Sequence, residues 1–150
     1  MRAVLFDLDD TLYPEISFVR SGFRTVAQHL ADTESLAEEE LFERLMSVLK
    51  RDGRGRVFDT VLREVGQNRP GLVAVLVRVY RTHRPNIRLF KDVEPGLQRL
   101  RAMGLRMGIV TDGLASVQRN KIGALRLEPL VDTLVCTDEV GPGQEKPSVR

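Results

Sequence analysis

Apolar residues follow two kinds of spacing along this chain. Three short runs are nearly continuous: AVLF (3–6), LRMGIV (105–110) and VDTLVC (131–136). Each is short for a helix and ends in polar, turn-forming residues, as a buried parallel strand does where its C-terminal end opens into a loop. Between the second and third runs, ASVQRNKIGALRL reads as a helix. Before the second, VEPGLQRLRAMG sets Val93, Leu97 and Leu100 at helical spacing, with Gly104 as the stop. Strand, helix, strand, helix, strand predicts an α/β core of doubly wound, Rossmann-like type with a parallel sheet. Ligands of such sheets bind beyond the C-terminal strand ends.

Residues 15–87 follow the other spacing. Val19, Gly22, Val26 and Leu30 share one helical face; Leu41, Leu45 and Val48 share a second; Phe58, Val61, Leu62 and Val65 share a third. DGRG (52–55) and QNRPG (67–71) punctuate them. The valines of LVAVLVRVY (72–80) also alternate as a strand would, but Leu72, Leu76 and Val79 fit the helical period, and a helix is predicted. The expected organisation is therefore a core of residues 1–14 and 88–150 interrupted after its first strand by an all-helical insertion, 15–87.

Composition adds exclusions. In 150 residues, 23 basic side chains nearly balance 21 acidic ones, leaving a net charge of +2, which gives no nucleic-acid-binding surface. No apolar run approaches the roughly 20 residues that span a bilayer. The start, MRAVLFDLDD, breaks its apolar run with acids too early for a secretory signal. One cysteine, Cys136, allows no internal disulfide and suits a reducing compartment, so a cytoplasmic location is expected.

The chemistry concentrates where the first run ends, in VLFDLDDTLY (4–13). Three carboxylates crowded against an apolar strand repel one another, and burying one without a partner costs several kcal/mol. Such a loop faces water or surrounds a cation. A carboxylate can attack phosphorus to form an aspartyl phosphate, but it repels a phosphate dianion unless a hard cation such as Mg²⁺ lies between them. A second carboxylate two residues on can protonate the leaving oxygen and later deprotonate water. A lysine, a hydroxyl and backbone amides would complete the charge neutralisation. Thr111 and Gly113 follow the second run, and Lys146, before Pro147, follows the third.

On DLDDT (7–11), the threonine of IVTDG (109–113) and the lysine of EKPS (145–148), the chain resembles the haloacid dehalogenase-like hydrolase superfamily. The resemblance is to its phosphatase branch with a helical cap after the first motif. It implies Asp7 as nucleophile and Mg²⁺ ligand, and Asp9 as general acid/base whose backbone carbonyl also meets the metal. Thr111 and the amides of Asp112 and Gly113 would hold the phosphoryl oxygens. Lys146 would steady Asp7 and the transferred group, and Thr11 would support the loop. A carboxylate at position 9 is kept by phosphatases and phosphomutases but not by dehalogenases. The implied activity is Mg²⁺-dependent hydrolysis of a small phosphorylated metabolite, with closure of the cap supplying substrate contacts.

One departure counts against full activity. The family's fourth motif, an acidic pair on a further strand after the lysine that completes the Mg²⁺ shell, has no counterpart before Arg150; Asp138 and Glu139 follow the wrong strand. The core is thus expected to be C-terminally truncated, and residues 1–150 alone to bind Mg²⁺ weakly and turn over poorly. A non-catalytic binding domain, a phosphomutase and a dehalogenase relative are the alternatives. Other residues carry plainer expectations: Asp10 caps a helix or faces out, His29, His83 and Cys136 are structural, and Phe18, Phe23, Phe42 and Phe58 fill the insertion's core. The basic groups Lys50–Arg51–Arg54–Arg56 and Arg78–Arg81–His83–Arg84 are helix-end charges or, alternatively, a surface for an anionic substrate.

Overall fold

The computed structural model describes residues 3–34, 36–67, 69–141 and 143–146. Pro147 and Ser148 of the expected third motif, and Val149-Arg150, lie outside them. In chain order the elements are β1 (Ala3–Phe6), α1 (Glu15–Glu34), α2 (Glu38–Asp52), α3 (Val57–Glu64), α4 (Leu72–Thr82), α5 (Val93–Ala102), β2 (Arg106–Thr111), α6 (Ala115–Ala124), a 3-10 turn (Glu128–Leu130), β3 (Thr133–Cys136) and α7 (Thr137–Val140). The chain divides into two compact units, Met1–Phe18 with Arg84–Arg150, and Val19–His83.

The first unit is the α/β body. Its strands pair in parallel in the order β1-β2-β3, with Phe6 level with Ile109 and Thr111 level with Cys136. That register brings the C-terminal ends of all three strands to one edge of the sheet, and the loops after them carry the polar residues singled out above. Helix α6 makes the crossover between parallel β2 and β3, as parallel pairing requires. Helix α5 ends where its glycine stops it: Gly104 takes φ +75°, and its N–H donates to the Arg101 carbonyl at 2.9 Å. The first strand departs from expectation, since Ala3 and Leu5 face outward and Leu5 is 68% exposed. Among the described residues β1 has a neighbouring strand on one side only, so its apolar run is half covered. Leu5 leans over β2 instead, its Cδ2 at 2.8 Å from where a Cβ on Gly108 would stand.

The second unit is helical and has its own core. Val19, Val26 and Leu30 of α1 meet Leu41, Leu45 and Val48 of α2 and Val61 and Leu62 of α3, the faces their spacing predicted. Residues 72–82 are helical; Leu76 is buried, and Leu72, Val73 and Val79 pack against the core. Phe23, Phe42 and Phe58 belong to this unit, but Phe18 lies in the α/β body, contrary to the sequence reading. Helical periodicity marks Phe18 as inward-facing without saying what it meets. No helix of the described residues is long and apolar enough to cross a membrane.

Rings of Phe23, Phe58 and Tyr80 stand 5.8–5.9 Å apart, centroid to centroid, and hold Tyr80 against the backbone of α1 at Gly22. A Cβ there would come within 2.5 Å of the Tyr80 ring. Alanine normally stabilises a helix interior by up to about 1 kcal/mol over glycine. Here overpacking of about 1–3 kcal/mol is expected to win. Gly22→Ala should therefore lower the midpoint of thermal unfolding, and a rise would show that the Tyr80 ring yields without strain.

Candidate active site

The acidic loop is tied to the body by its apolar residues. Leu8, Leu12 and Tyr13 are fully or almost fully buried. The Leu8 carbonyl accepts from the amides of Leu12 at 3.0 Å and Thr11 at 3.4 Å. Asp7 and Asp9 flank this buried leucine. Asp10 takes φ +55° and its carboxylate accepts from the Glu15 amide at 2.8 Å, capping α1 as its position suggested. Thr11 is exposed and serves the loop through its amide.

Each of the two remaining carboxylates has an ammonium partner, and the partners come from different elements. Lys146 Nζ donates to Asp7 Oδ1 and, at 3.0 Å, to the Val110 carbonyl at the end of β2. Both side chains of this pair are well exposed, at 38% and 40%. The Lys146 backbone is held as well: its amide donates to the Asp112 carboxylate at 3.1 Å, and the Thr137 hydroxyl donates to the same oxygen at 2.8 Å. Asp9 is enclosed more tightly. Lys121 Nζ donates to both its oxygens, at 2.8 and 3.0 Å, Gln118 Nε2 to Oδ2 at 3.0 Å, and the Tyr13 hydroxyl to Oδ1. Burial favours the neutral acid, but the hydrogen bonds from Lys121, Tyr13 and Gln118 outweigh it and hold Asp9 below the usual carboxylate range.

Thr111 ends β2 and is 1% exposed. Its Oγ1 accepts from Gln118 Nε2, which leaves its own O–H to donate elsewhere. Asp112 and Gly113 make the turn into α6, with Gly113 at φ +105°. The other acids nearby are engaged: Asp138 Oδ2 accepts from the Ala115 amide at 2.9 Å, and Glu139 pairs with Arg119. Asp7, Asp9, Thr111, Asp112, Gly113 and Lys146 thus lie in or beside the loops at one edge of the sheet. The sequence reading missed Tyr13, Thr137, Gln118 and Lys121. The last two carried a signal, because Ile122 and Leu125 set the buried face of α6 and Gln118 and Lys121 fall on it.

Hard oxygen donors are present for a divalent cation in Asp7 and the Asp9 backbone. Among the described residues, however, no group of three or more His, Cys, Asp or Glu side chains could hold a metal. In the helical unit, Arg51 pairs with Asp52 and Glu64 at a helix end. Arg54 and Arg81 lie on the wall of a cavity of about 390 Å³ beside Phe58 and Tyr80.

Comparison with known proteins places the chain in a family. A family model described as haloacid dehalogenase-like hydrolase matches residues 4–150. The glyceraldehyde 3-phosphate phosphatase of Methanopyrus kandleri is 36% identical over 99% of this chain and 67% of its own length. The crystal structure of a HAD phosphatase from Thermococcus onnurineus matches at 26% identity with a TM-score of 0.51, over 93% of this chain and 64% of that one. A magnesium-bound HAD-hydrolase, YfnB from Bacillus subtilis, shares the fold at 18% identity and a TM-score of 0.58, over 92% of this chain and 64% of that one. The chain spans about two thirds of the length of these proteins.

The lowered Asp9 pKa has a stability consequence. A depressed carboxylate contributes stability that is present above its unfolded value, about 3.9, and is lost as pH falls through the lower folded value. Asp9→Asn leaves the Lys121 ammonium without its counter-ion at every pH. The variant should be less stable than the wild type at pH 6, and the gap should narrow as pH falls below about 3.9 and Asp9 in the wild type takes up a proton. Urea unfolding at pH 6 and through the acid range measures it, and a gap independent of pH would contradict the assigned ion pair.

Proposed function

The chain belongs to the haloacid dehalogenase-like hydrolases, and on that premise we propose that it is a Mg²⁺-dependent phosphatase of a small phosphorylated sugar, with catalysis through an aspartyl phosphate on Asp7. The observation that carries the reading is the arrangement of Asp7 beside Lys146, with Asp9 and Thr111 joined through Gln118. An Asp7 oxygen attacks phosphorus, the ester P–O bond breaks, and the departing oxygen takes a proton from Asp9. Water then attacks the phosphorus of the acyl phosphate, Asp9 accepts its proton, and Asp7 and inorganic phosphate are released. Arrival of a phosphate dianion beside Asp9 favours its protonated form through like-charge repulsion, which is the form that the first step uses.

Lys146 orients Asp7 and offsets charge on the transferring group, the Thr111 hydroxyl donates to a phosphoryl oxygen, and the Asp112 and Gly113 amides add donors. The Asp7 carboxylate and the Asp9 backbone carbonyl would hold Mg²⁺, with water and phosphate as further ligands in keeping with its preference for oxygen. When bound, the ion supplies the positive charge that lets a carboxylate approach a phosphate dianion. Within the helical unit Val19–His83, Arg54 and Arg81 on the cavity wall would offer positive charge to an anionic group. The name of the Methanopyrus relative supports a three-carbon sugar phosphate as substrate.

The test uses the protein expressed from its whole reading frame, assayed for phosphate release from glyceraldehyde 3-phosphate with and without Mg²⁺. Turnover should require the metal and fall by about 10³-fold or more in Asp7→Asn, because an amide cannot form the acyl phosphate. Retention of activity in that variant would refute the assigned nucleophile.

A further inference from the structure

Lys121 is 5% exposed, an unusual place for an ammonium, and the proposed chemistry gives it no direct part. A buried cation is costly unless its charge is answered, and here both oxygens of Asp9 answer it. The Phe18 ring covers the ammonium, its centroid 4.7 Å from Nζ. One turn earlier on the same helix, Gln118 divides its amide between Asp9 Oδ2 and the Thr111 hydroxyl. Two side chains on one face of α6 therefore set the plane of the Asp9 carboxylate and its position relative to Thr111.

We propose that Lys121 and Gln118 are positioning residues, which aim the Asp9 carboxylate at the leaving oxygen while Thr111 holds the phosphoryl group. The proposal rests on the phosphatase reading above. Neither residue touches substrate; Lys121 acts through Asp9, and Gln118 through Asp9 and Thr111. A buried ammonium whose only part was to balance Asp9 would need no amide beside it to link that acid to the threonine.

Leaving-group chemistry separates aiming from mere support. An alkoxide leaves phosphorus only with a proton, whereas 4-nitrophenolate leaves without one, so displacement of Asp9 penalises the first class of ester alone. First-turnover release is measured with Mg²⁺ on the whole protein, using glyceraldehyde 3-phosphate and 4-nitrophenyl phosphate. Lys121→Met and Gln118→Leu should slow release from the sugar phosphate by about 10- to 100-fold; the aryl ester should slow by less than about 3-fold in Lys121→Met and clearly less than the sugar phosphate in Gln118→Leu, which also loses its bond to Thr111. Combining Lys121→Met with Asp9→Asn should add nothing to the loss caused by Asp9→Asn alone. Gln118→Leu removes no charge and carries the test if Lys121→Met does not fold, as thermal melts will show. Equal losses on both esters in either variant, or a Lys121→Met loss that adds to that of Asp9→Asn, would overturn the positioning role. A wild type that hydrolyses neither ester would overturn the phosphatase reading and this proposal together. A wild type active on both, and silenced by Asp7→Asn, confines any failure to Lys121 and Gln118.

Discussion

Two carboxylates separated by one residue share the end of β1, and each charge is answered by a lysine of its own. Asp7 is answered by Lys146, from beyond β3, and Asp9 by Lys121, from α6. Neither lysine is near the acids in sequence, so the acidic loop is electrostatically complete only once β2, α6 and β3 are in place beside β1. The site and the sheet therefore depend on the same folding event.

The two ion pairs differ in a way that suits different tasks. The Asp7–Lys146 pair is well exposed, and exposed pairs contribute at most about 1 kcal/mol, so an entering phosphate can rearrange it at little cost. The Asp9–Lys121 pair is enclosed by Tyr13, Gln118 and Phe18 and cannot be broken cheaply, because either partner alone would be a charge with little access to water. One lysine thus stands beside Asp7 within reach of solvent, and the other is enclosed with Asp9.

The other acids of this region have structural duties. Asp112 takes the Lys146 amide and the Thr137 hydroxyl, and so fixes the segment that presents Lys146. Asp138 and Asp10 accept from the first amides of α6 and α1. Placed at helix starts, these charges meet the positive end of the helix dipole. Asp7 and Asp9 are left as the carboxylates of the strand-end loop that pair with lysines.

Much of this was legible from sequence, because local rules suffice for it. Apolar runs ending in polar loops revealed the three strands, and the 3.6-residue period revealed the helices, including α4, whose valines could have made a strand. DLDDT and TDG fell at strand ends because parallel strands open their C-terminal edges to ligands, and Asp10 capped a helix because its neighbours required a turn. What tertiary structure alone decided was which distant groups meet. Lys121 stands 112 residues from Asp9, and its place on the buried face of α6 signals burial without naming the acid it meets. Phe18 is inward-facing by its period, yet its position in the α/β body and its contact with that ammonium follow from packing. Gly22 breaks no pattern until the Tyr80 ring is seen lying against it. Periodicity reports whether a side chain turns inward; only the closed fold reports what waits for it there.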